Sequence, residues 1–158
     1  MTVLPVENVQ DYPRPPALEP VGVRLRVILS GTVVAETEAG QRVLETHHAP
    51  TYYFPPEDIR PGALIPAPGR SFCEWKGTAQ YFDVSANGMV SHKAAWAYAA
   101  PTQRFAAIKD YVAFYPERME ACFVGDLLVT EQPGAFYGGW VTPNLRGTVK
   151  GGPGTRGW

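Results

Sequence analysis

The segment TAQYFDVSANGMVSHK, residues 78–93, carries the clearest sign of how this chain folds. Asn87 and Gly88 both tolerate a positive φ, and this pair is typical of a two-residue turn between antiparallel strands. The flanking residues, 78–85 and 89–93, have the composition of strands. The segment therefore predicts a β-hairpin that joins the central strands of the fold.

Short strands separated by turns are predicted on both sides of this hairpin. Apolar and polar residues mostly alternate from Val23 to Leu29, which is the pattern of a half-buried strand. Further strands are predicted at residues 32–36, 42–46, 51–54, 121–124 and 127–130. The segment at residues 57–59 predicts a single helical turn.

One helix is predicted between Pro101 and Pro116, with Thr102 as a candidate N-cap. Three apolar residues recur at helical spacing and would bury one face of this helix: Phe105, Ile108 and Val112. The fold class that follows is α+β and mainly β, with curved antiparallel sheets and one packed helix.

The two ends of the chain differ from its centre in composition. Five prolines within residues 1–20 exclude a helix or a central strand, so this part is predicted to be an extended arm. Residues 21–131 are predicted to form a single β-rich domain. Residues 132–158 are rich in glycine and poor in strand signals, and we expect them to be a tail packed on or beside that domain.

The composition of the 158-residue chain excludes several classes of protein. It contains 16 Gly and 16 Pro, which argues against a helix bundle. It has 14 Lys+Arg against 15 Asp+Glu, and a protein that binds nucleic acid regardless of sequence needs a positive excess. No apolar run approaches the roughly 18 residues of a spanning helix. We therefore expect neither a nucleic-acid partner nor a membrane.

The number of cysteines indicates the compartment. Cys73 and Cys122 are the two cysteines of the chain, fewer than a small secreted scaffold usually contains. We therefore expect free thiols and a cytoplasmic location.

Two short motifs match known patterns only as strings. Gly152, Gly154 and Gly157 have the spacing of a dinucleotide-binding loop, but that loop needs a strand before it and a helix after it. His47 and His48 are adjacent, so in a strand they would point to opposite faces and would not easily bind one ion. No metal site is expected, and the sequence identifies no cofactor.

The segment CEWKG, residues 73–77, combines a thiol, a carboxylate, an indole and an amine. Glu74 and Lys76 could form an ion pair that holds the amine ready for an anionic ligand. Gly77 would allow a ligand or another strand to approach closely. A structural interpretation also fits, with the thiol and the indole in the core and the ion pair on a solvated face.

Aromatic residues with polar tips recur near this segment, and they suit both a core and a ligand-binding wall. The candidate ligand-binding residues are Tyr53, Glu74, Trp75, Lys76, Trp96 and Tyr98. In a regular strand Trp75 points away from Glu74 and Lys76, so all six can line one pocket only if the segment bends. Gly77 and nearby prolines permit such a bend.

Four blocks of the sequence resemble a known family in order and spacing. They are Thr51-Tyr52-Tyr53-Phe54-Pro55, Cys73-Glu74-Trp75-Lys76-Gly77-Thr78-Ala79-x-Tyr81, Ala95-Trp96-x-Tyr98 and Val112-Ala113-Phe114-Tyr115-Pro116. Over roughly residues 23–120 these blocks resemble the domain-of-unknown-function 427 family. The tail, with FYGGW at 136–140 and KGGPGT at 150–155, is similar to the longer bacterial members.

This resemblance implies a small, mainly-β protein that is similar in outline to β-tent proteins, in which two antiparallel sheets meet at a steep angle. Many β-tent proteins hold their sheets with a four-cysteine zinc site, whose cysteines this chain lacks. Some family labels imply a nucleotidyltransferase. Such enzymes usually carry paired aspartates for two magnesium ions, and no Asp-x-Asp occurs in this sequence.

Three functions are compatible with these observations. The first is a pocket between sheets for a small molecule, anionic or nucleotide-like in character. The second is a nucleotidyltransferase-like enzyme, with Lys76 neutralising a phosphate and Glu74 acting as a base or metal ligand. The third is a non-catalytic interaction domain in which the aromatic residues form core, while the arm and the tail bind a partner subunit. A homo-oligomer is compatible with each.

Overall fold

A computed structural model describes residues 1–134 and 136–155 of the chain. Within them the regular structure is almost entirely β, and the predicted class, mainly β with antiparallel sheets, is confirmed. The strands are β1 (Glu7–Asn8), β2 (Ala17–Pro20), β3 (Leu25–Leu29), β4 (Thr32–Thr37), β5 (Gln41–Leu44), β6 (Thr51–Tyr53), β7 (Leu64–Cys73), β8 (Gly77–Ala86), β9 (Met89–Ala97), β10 (Val112–Phe114), β11 (Ala121–Val124), β12 (Leu127–Leu128), β13 (Thr130–Glu131), β14 (Trp140–Val141) and β15 (Leu145–Arg146). The helical elements are short 3-10 helices at Val9–Asp11, Pro56–Asp58, Gln103–Ile108 and Pro116–Arg118.

The hairpin predicted at Asn87 and Gly88 is confirmed. Strands β8 and β9 pair antiparallel, and Ala86 lies opposite Met89, so the two residues between them form the turn. Their φ values are 48° and 81°, the left-handed region that Asn and Gly tolerate best. Strand β9 is longer than predicted and continues to Ala97.

Three sheets form the frame of the molecule. The central sheet has the order β10-β9-β8-β7, the core sheet has the order β12-β11-β3-β4, and the side sheet has the order β2-β5-β6. Neighbouring strands in all three are antiparallel. Two short pairs, β1 with β15 and β13 with β14, involve the ends of the chain. Register shifts within β3–β4, β7–β8 and β8–β9 bend the longer sheets.

The central sheet packs apolar side chains on both of its faces. Successive side chains of a strand point to opposite faces. Ala95 and Ala97 belong to the main core, which the core sheet shares, whereas Trp96 and Tyr98 belong to a second cluster with residues of the side sheet. The alternation of small and aromatic residues thus places the aromatic side chains on one face of the central sheet, toward the side sheet.

The predicted helix is wrong in type and length. Residues Gln103–Ile108 form a 3-10 helix that is interrupted at Phe105, where φ is -109° and ψ is 20°. Asp110, with a φ of 63°, is in a conformation that cannot continue a right-handed helix, and Val112 lies in strand β10. Phe105 and Ile108 are nevertheless fully buried, as their spacing predicted.

Strand β7 was not predicted because it contains Pro66, Pro68 and Gly69, which usually interrupt strands. Proline cannot donate to a strand ladder, but β7 is an edge strand of the central sheet, where a missing N–H is tolerated. The register shifts between Ala67 and Arg70, so the intervening proline and glycine form a bulge. The strand then leads directly into the turn that carries the candidate residues.

Strands of the predicted arm and of the predicted tail pair with other strands. Strand β2, inside the Pro-rich arm, pairs with β5 of the side sheet, and β1 pairs in parallel with β15 of the tail. Trp140 of the tail is fully buried, and its indole N–H donates to the Phe114 carbonyl over 3.0 Å. The division into arm, domain and tail stays a prediction. Ala135 and residues 156–158, which include Gly157 of the glycine motif, lie outside the described residues.

The two cysteines are unbridged, as predicted. Cys122 is buried in the main core, where burial raises the pKa of its thiol. Cys73 is half-buried at the end of β7 and packs against the second cluster, so the two thiols lie in different parts of the fold. Among residues 1–134 and 136–155, no helix has the length and apolar character needed to cross a bilayer.

Candidate functional site

A cavity of about 400 Å³ lies between the central sheet and the side sheet. The central sheet and the residue after β9 contribute Trp96 and Tyr98, and β6 contributes Tyr53. The tail contributes Tyr137 and Lys150. This volume is within the range of small-molecule sites in proteins.

All six candidate residues from the sequence line this one cavity: Tyr53, Glu74, Trp75, Lys76, Trp96 and Tyr98. They come from β6, from the turn after β7, and from β9 with the residue that follows it. The structure brings these separate segments together, and the role of the six residues in binding stays a prediction.

The bend that this arrangement requires is the turn between β7 and β8. Cys73 lies opposite Gly77 in the pairing of these strands, so Glu74, Trp75 and Lys76 form a three-residue connection. The alternation of a regular strand therefore does not separate the indole from its two charged neighbours. Gly77 has a φ of 110°, which glycine adopts without the strain that a side chain would cause.

Thr102 fastens this turn to the segment before the longest 3-10 helix. Its hydroxyl donates to the Trp75 carbonyl over 2.6 Å, and its backbone N–H donates to the Lys76 carbonyl over 3.1 Å. Thr102 does occupy the N-cap position that the sequence predicted, but its side chain makes no capping hydrogen bond. The hydroxyl instead holds the turn that forms part of the cavity wall.

The Lys76 ammonium lies near two aromatic rings and pairs with no carboxylate of the described residues. Its Nζ is 6.0 Å from the ring centre of Tyr98 and 5.9 Å from that of Phe105. Among the ion pairs of the described residues, the expected pair of Lys76 with Glu74 is absent, and Glu74 is exposed. Aromatic faces attract a cation without supplying a countercharge, so this ammonium is available to an anion.

The buried aromatic residues belong both to the core and to the cavity wall. The rings of Tyr53 and Trp96 meet edge to face with their centres 6.5 Å apart. The Trp96 ring also packs on the Tyr115 ring, with 4.4 Å between the ring centres. Burial raises the pKa of Tyr53 and of Tyr98 above the ordinary value of a phenol. Both side chains therefore keep a neutral hydroxyl near neutral pH, which can donate a hydrogen bond.

His48 also lines the cavity, although the sequence indicated no site role for it. Burial lowers the pKa of its imidazole to about 4, against the opposing effect of Glu45, whose Oε2 is 3.7 Å from Nε2. The imidazole is therefore neutral near pH 7. The His47–His48 pair carries no signal in the sequence for such burial, which depends on how the side sheet packs against the tail.

Gln132 determines which nitrogen of His48 carries the proton. This buried amide accepts the Ala49 N–H at Oε1 over 3.1 Å, so its Nε2 faces His48 Nδ1 at 3.2 Å and donates to the Lys150 carbonyl over 3.0 Å. Because an amide nitrogen only donates, Nδ1 of His48 accepts and the ring proton is on Nε2. Gln132 thereby links the segment after β5 to the end of the tail.

The tail forms one side of the cavity. The Tyr137 ring meets His48 edge to face with centres 5.2 Å apart, and Lys150 Nζ lies 5.4 Å from the centre of the Tyr137 ring. Gly138 lies against Trp96, where an added Cβ would come within 2.9 Å of Cζ3. Sequence reasoning missed these tail residues because only tertiary contacts bring them to the cavity.

The charged side chains that line the cavity are two lysines and two glutamates. Glu45 is paired with Arg14 over 3.2 Å, and Glu74 is exposed, whereas Lys76 and Lys150 have no carboxylate partner among the described residues. Within the described ranges, no group of three or more His, Cys, Asp and Glu residues is placed to hold a metal ion. The cavity thus offers ammonium, phenol and indole donors to a ligand.

The model of the family described as domain of unknown function (DUF427) matches residues 17–125, more than half of the chain. The matched residues include all six candidate residues, whereas the tail lies outside the match. No curated protein matches the chain. The chain therefore belongs to the DUF427 family, which its four sequence blocks resembled.

Proposed function

We propose that the cavity binds a small anionic molecule with a planar, apolar body. The observation that carries this proposal is the Lys76 ammonium, which faces two aromatic rings and has no carboxylate partner among the described residues. A cation at the wall of a concave site is a standard anchor for an anionic ligand, and aromatic side chains form the walls of many such sites.

The electrostatic surroundings favour an anion over a cation. Among the described residues, the lining lysines Lys76 and Lys150 are in no ion pair, whereas the Glu45 carboxylate is paired with Arg14 over 3.2 Å. Burial keeps the His48 imidazole neutral, so it adds no further charge near pH 7. The exposed Glu74 carboxylate is in contact with solvent and is strongly screened there.

The aromatic walls favour a planar body in the ligand. Trp75, Tyr81 and Tyr115 are partly accessible and line the cavity together with the buried wall residues. Aromatic faces stack on planar groups, and their polar tips can direct hydrogen bonds to the ligand edge. A nucleotide combines a planar base with an anionic phosphate, so nucleotides belong in the first set of ligands to be tried.

The free thiols support a reducing compartment, and we include a cytoplasmic location in the proposal. Cys73 borders the cavity while Cys122 is in the main core. Proteins that work in oxidising compartments usually bridge their cysteines, whereas these two are unbridged.

The decisive experiment replaces Lys76 by methionine, which keeps an apolar stem and removes the charge. Thermal-shift and calorimetric measurements would use AMP, phenyl phosphate and benzoate as probes. We expect at least one probe to bind the natural protein and its Kd to rise about tenfold or more in Lys76→Met, which corresponds to the loss of one ionic contact. The matched control is Lys109→Met, at an exposed lysine that does not line the cavity.

Without ligand, we expect Lys76→Met to unfold near the temperature of the natural protein, because a partly exposed cation–π contact contributes about 0.5–1 kcal/mol. A large loss of stability with an unchanged ligand response would make Lys76 structural. If none of the probes raises the melting temperature, the binding proposal is wrong and the interaction-domain interpretation replaces it.

A further inference from the structure

Lys150 is a second cation at the cavity and comes from the tail. Its Nζ lies 5.4 Å from the centre of the Tyr137 ring, and no carboxylate of the described residues pairs with it. Lys150 and Lys76 thus have the same kind of surroundings, an aromatic face and no ion pair within residues 1–134 and 136–155. They reach the cavity from different parts of the fold, because Lys76 is on the β7–β8 turn.

Two hydrogen bonds fix the position of the Lys150 backbone. Its N–H donates to the His47 carbonyl over 2.6 Å, and its own carbonyl accepts from Gln132 over 3.0 Å. Gly151 follows with a φ of 107°, and a Cβ there would come within 2.6 Å of the Pro133 carbonyl carbon. Only glycine fits this contact between positions 151 and 133 of the tail.

Lys150 and Tyr137 also border a second hollow of about 380 Å³ beside the main cavity. Its other lining residues are the glycine-rich stretch 151–155. The two hollows have Lys150 and Tyr137 in common. A ligand group that extends from the main cavity toward the tail would therefore meet the Lys150 ammonium at the boundary.

Resting on the proposed function, we propose that the ligand carries two separate anionic groups, one bound by Lys76 and the other by Lys150, with its planar body between them. The ligand class is thus a planar aromatic ring with two separate anionic groups, such as an aromatic dicarboxylate, and a planar molecule with one anionic group binds more weakly. Of the two glutamates that line the cavity, Glu45 is paired with Arg14 and Glu74 is exposed, so among the described residues neither lysine is in an ion pair and each ammonium can bind one anionic group.

Lys150 lies outside residues 17–125, where the family model matches. The Lys76 contact belongs to the matched part of the chain, whereas the second contact depends on the tail. The tail is therefore the part of this protein that selects for the second anionic group.

The test compares probes that differ by one anionic group. Benzoate is paired with benzene-1,4-dicarboxylate, and phenyl phosphate is paired with 1,4-phenylene bisphosphate, with Kd measured by calorimetry for each. In the natural protein we expect the molecule with two anionic groups in at least one pair to bind about tenfold more tightly than the molecule with one. In Lys150→Met this ratio should fall to about one, while Lys150→Arg, which keeps the charge, should retain most of it.

The outcomes separate this inference from the proposed function. If the probes with one anionic group bind through Lys76 but those with two bind no more tightly, the cavity is a site for a single anionic group and the inference is wrong. The inference is also wrong if the preference for the probe with two anionic groups survives in Lys150→Met. If neither member of either pair binds the natural protein, the proposed function and the inference fail together.

Discussion

Gly138 of the tail lies against the Trp96 ring of the central sheet with no room for a side chain between them. A Cβ at Gly138 would come within 2.9 Å of Trp96 Cζ3 and 3.2 Å of Tyr115 Cδ1. Because Trp96 is part of the cavity wall, this contact makes the tail and the wall a single packed unit. Glycine is needed here for two reasons: the close approach leaves no room for a Cβ, and the φ of 71° lies in the left-handed region.

We expect Gly138→Ala to lower the free energy of unfolding by about 2–4 kcal/mol, from overlap with the indole and from strain in the left-handed backbone. The control is Gly62→Ala, where φ is 80° but no atom lies within 4 Å of the added Cβ. That variant should lose only about 1 kcal/mol, from backbone strain alone. Urea denaturation measures both, and equal losses would mean that the Trp96 contact does not limit residue 138.

The bond from the Thr102 hydroxyl to the Trp75 carbonyl should matter for the position of the β7–β8 turn. We expect Thr102→Val, which has the same shape without the hydroxyl, to reduce stability by about 0.5–1.5 kcal/mol. Thr102→Ser keeps the hydroxyl and should lose less. Thermal melts give the comparison, and a Val variant as stable as the Ser variant would show that the turn does not depend on this hydrogen bond.

The buried face of the longest 3-10 helix should be essential although the helix is short. Ile108 is fully buried in the cluster beside the cavity, so Ile108→Ala should destabilise the protein by about 2–5 kcal/mol. Arg104 lies on the exposed side of the same helix, and Arg104→Ala should change stability by less than about 0.5 kcal/mol. Similar unfolding midpoints for the two variants would contradict the observed packing.

His48 should make the protein less stable in mild acid. Its pKa is lowered to about 4 by burial, from 6.5 in the unfolded chain, so between these values the unfolded chain binds a proton that the folded protein does not. The contribution of His48 to the free energy of unfolding is therefore constant above about pH 6.5. As the pH decreases from 6.5 toward 4, this contribution lowers the free energy of unfolding by up to about 3 kcal/mol. Urea denaturation at a series of pH values measures this slope.

His48→Gln should remove this part of the slope, whereas His92→Gln, at an exposed histidine, serves as the control. The comparison also separates His48 from carboxylates such as Glu7. Burial raises the pKa of Glu7, but hydrogen bonds from Arg42 and Tyr12 lower it more, so the net pKa is below its ordinary value of 4.5. The contribution of Glu7 to stability is therefore lost only as the pH falls below that value. An unchanged slope between pH 6.5 and 4 in His48→Gln would show that the imidazole is not kept neutral by the fold.

Features that depend on neighbours in the chain were predictable from sequence. The β8–β9 hairpin follows from Asn87 and Gly88, since turn chemistry is a property of the residues in the turn. The predicted helix failed because the spacing of Phe105, Ile108 and Val112 also fits a 3-10 helix followed by a strand. The residue that decides between the two is Asp110, in the left-handed region. Strand β7 was missed because only its edge position makes its prolines acceptable.

The six candidate residues could be chosen from sequence because charge and aromatic side chains coincide in a few short blocks. Their convergence could not be derived in this way, because it depends on the β7–β8 turn and on the packing of β6 beside β9. The tail residues Tyr137 and Lys150 could not be identified as cavity residues, because the tail reaches the cavity through contacts with a distant segment. The hydrogen bond between Gln132 and His48, for example, joins residues 84 positions apart in sequence.

The sequence by itself determined a mainly-β class, the central hairpin, free cysteines and the residue types of a candidate site, because each depends on composition or on short-range pattern. Only the tertiary structure decided that the turn at residues 74–76 faces the side sheet, that the tail forms a wall of the cavity, and that neither Lys76 nor Lys150 is in an ion pair within the described part of the chain. These properties depend on contacts between segments far apart in the chain. Local sequence preferences do not encode such contacts, because burial, hydrogen-bond partners and charge balance are set only when the sheets pack together.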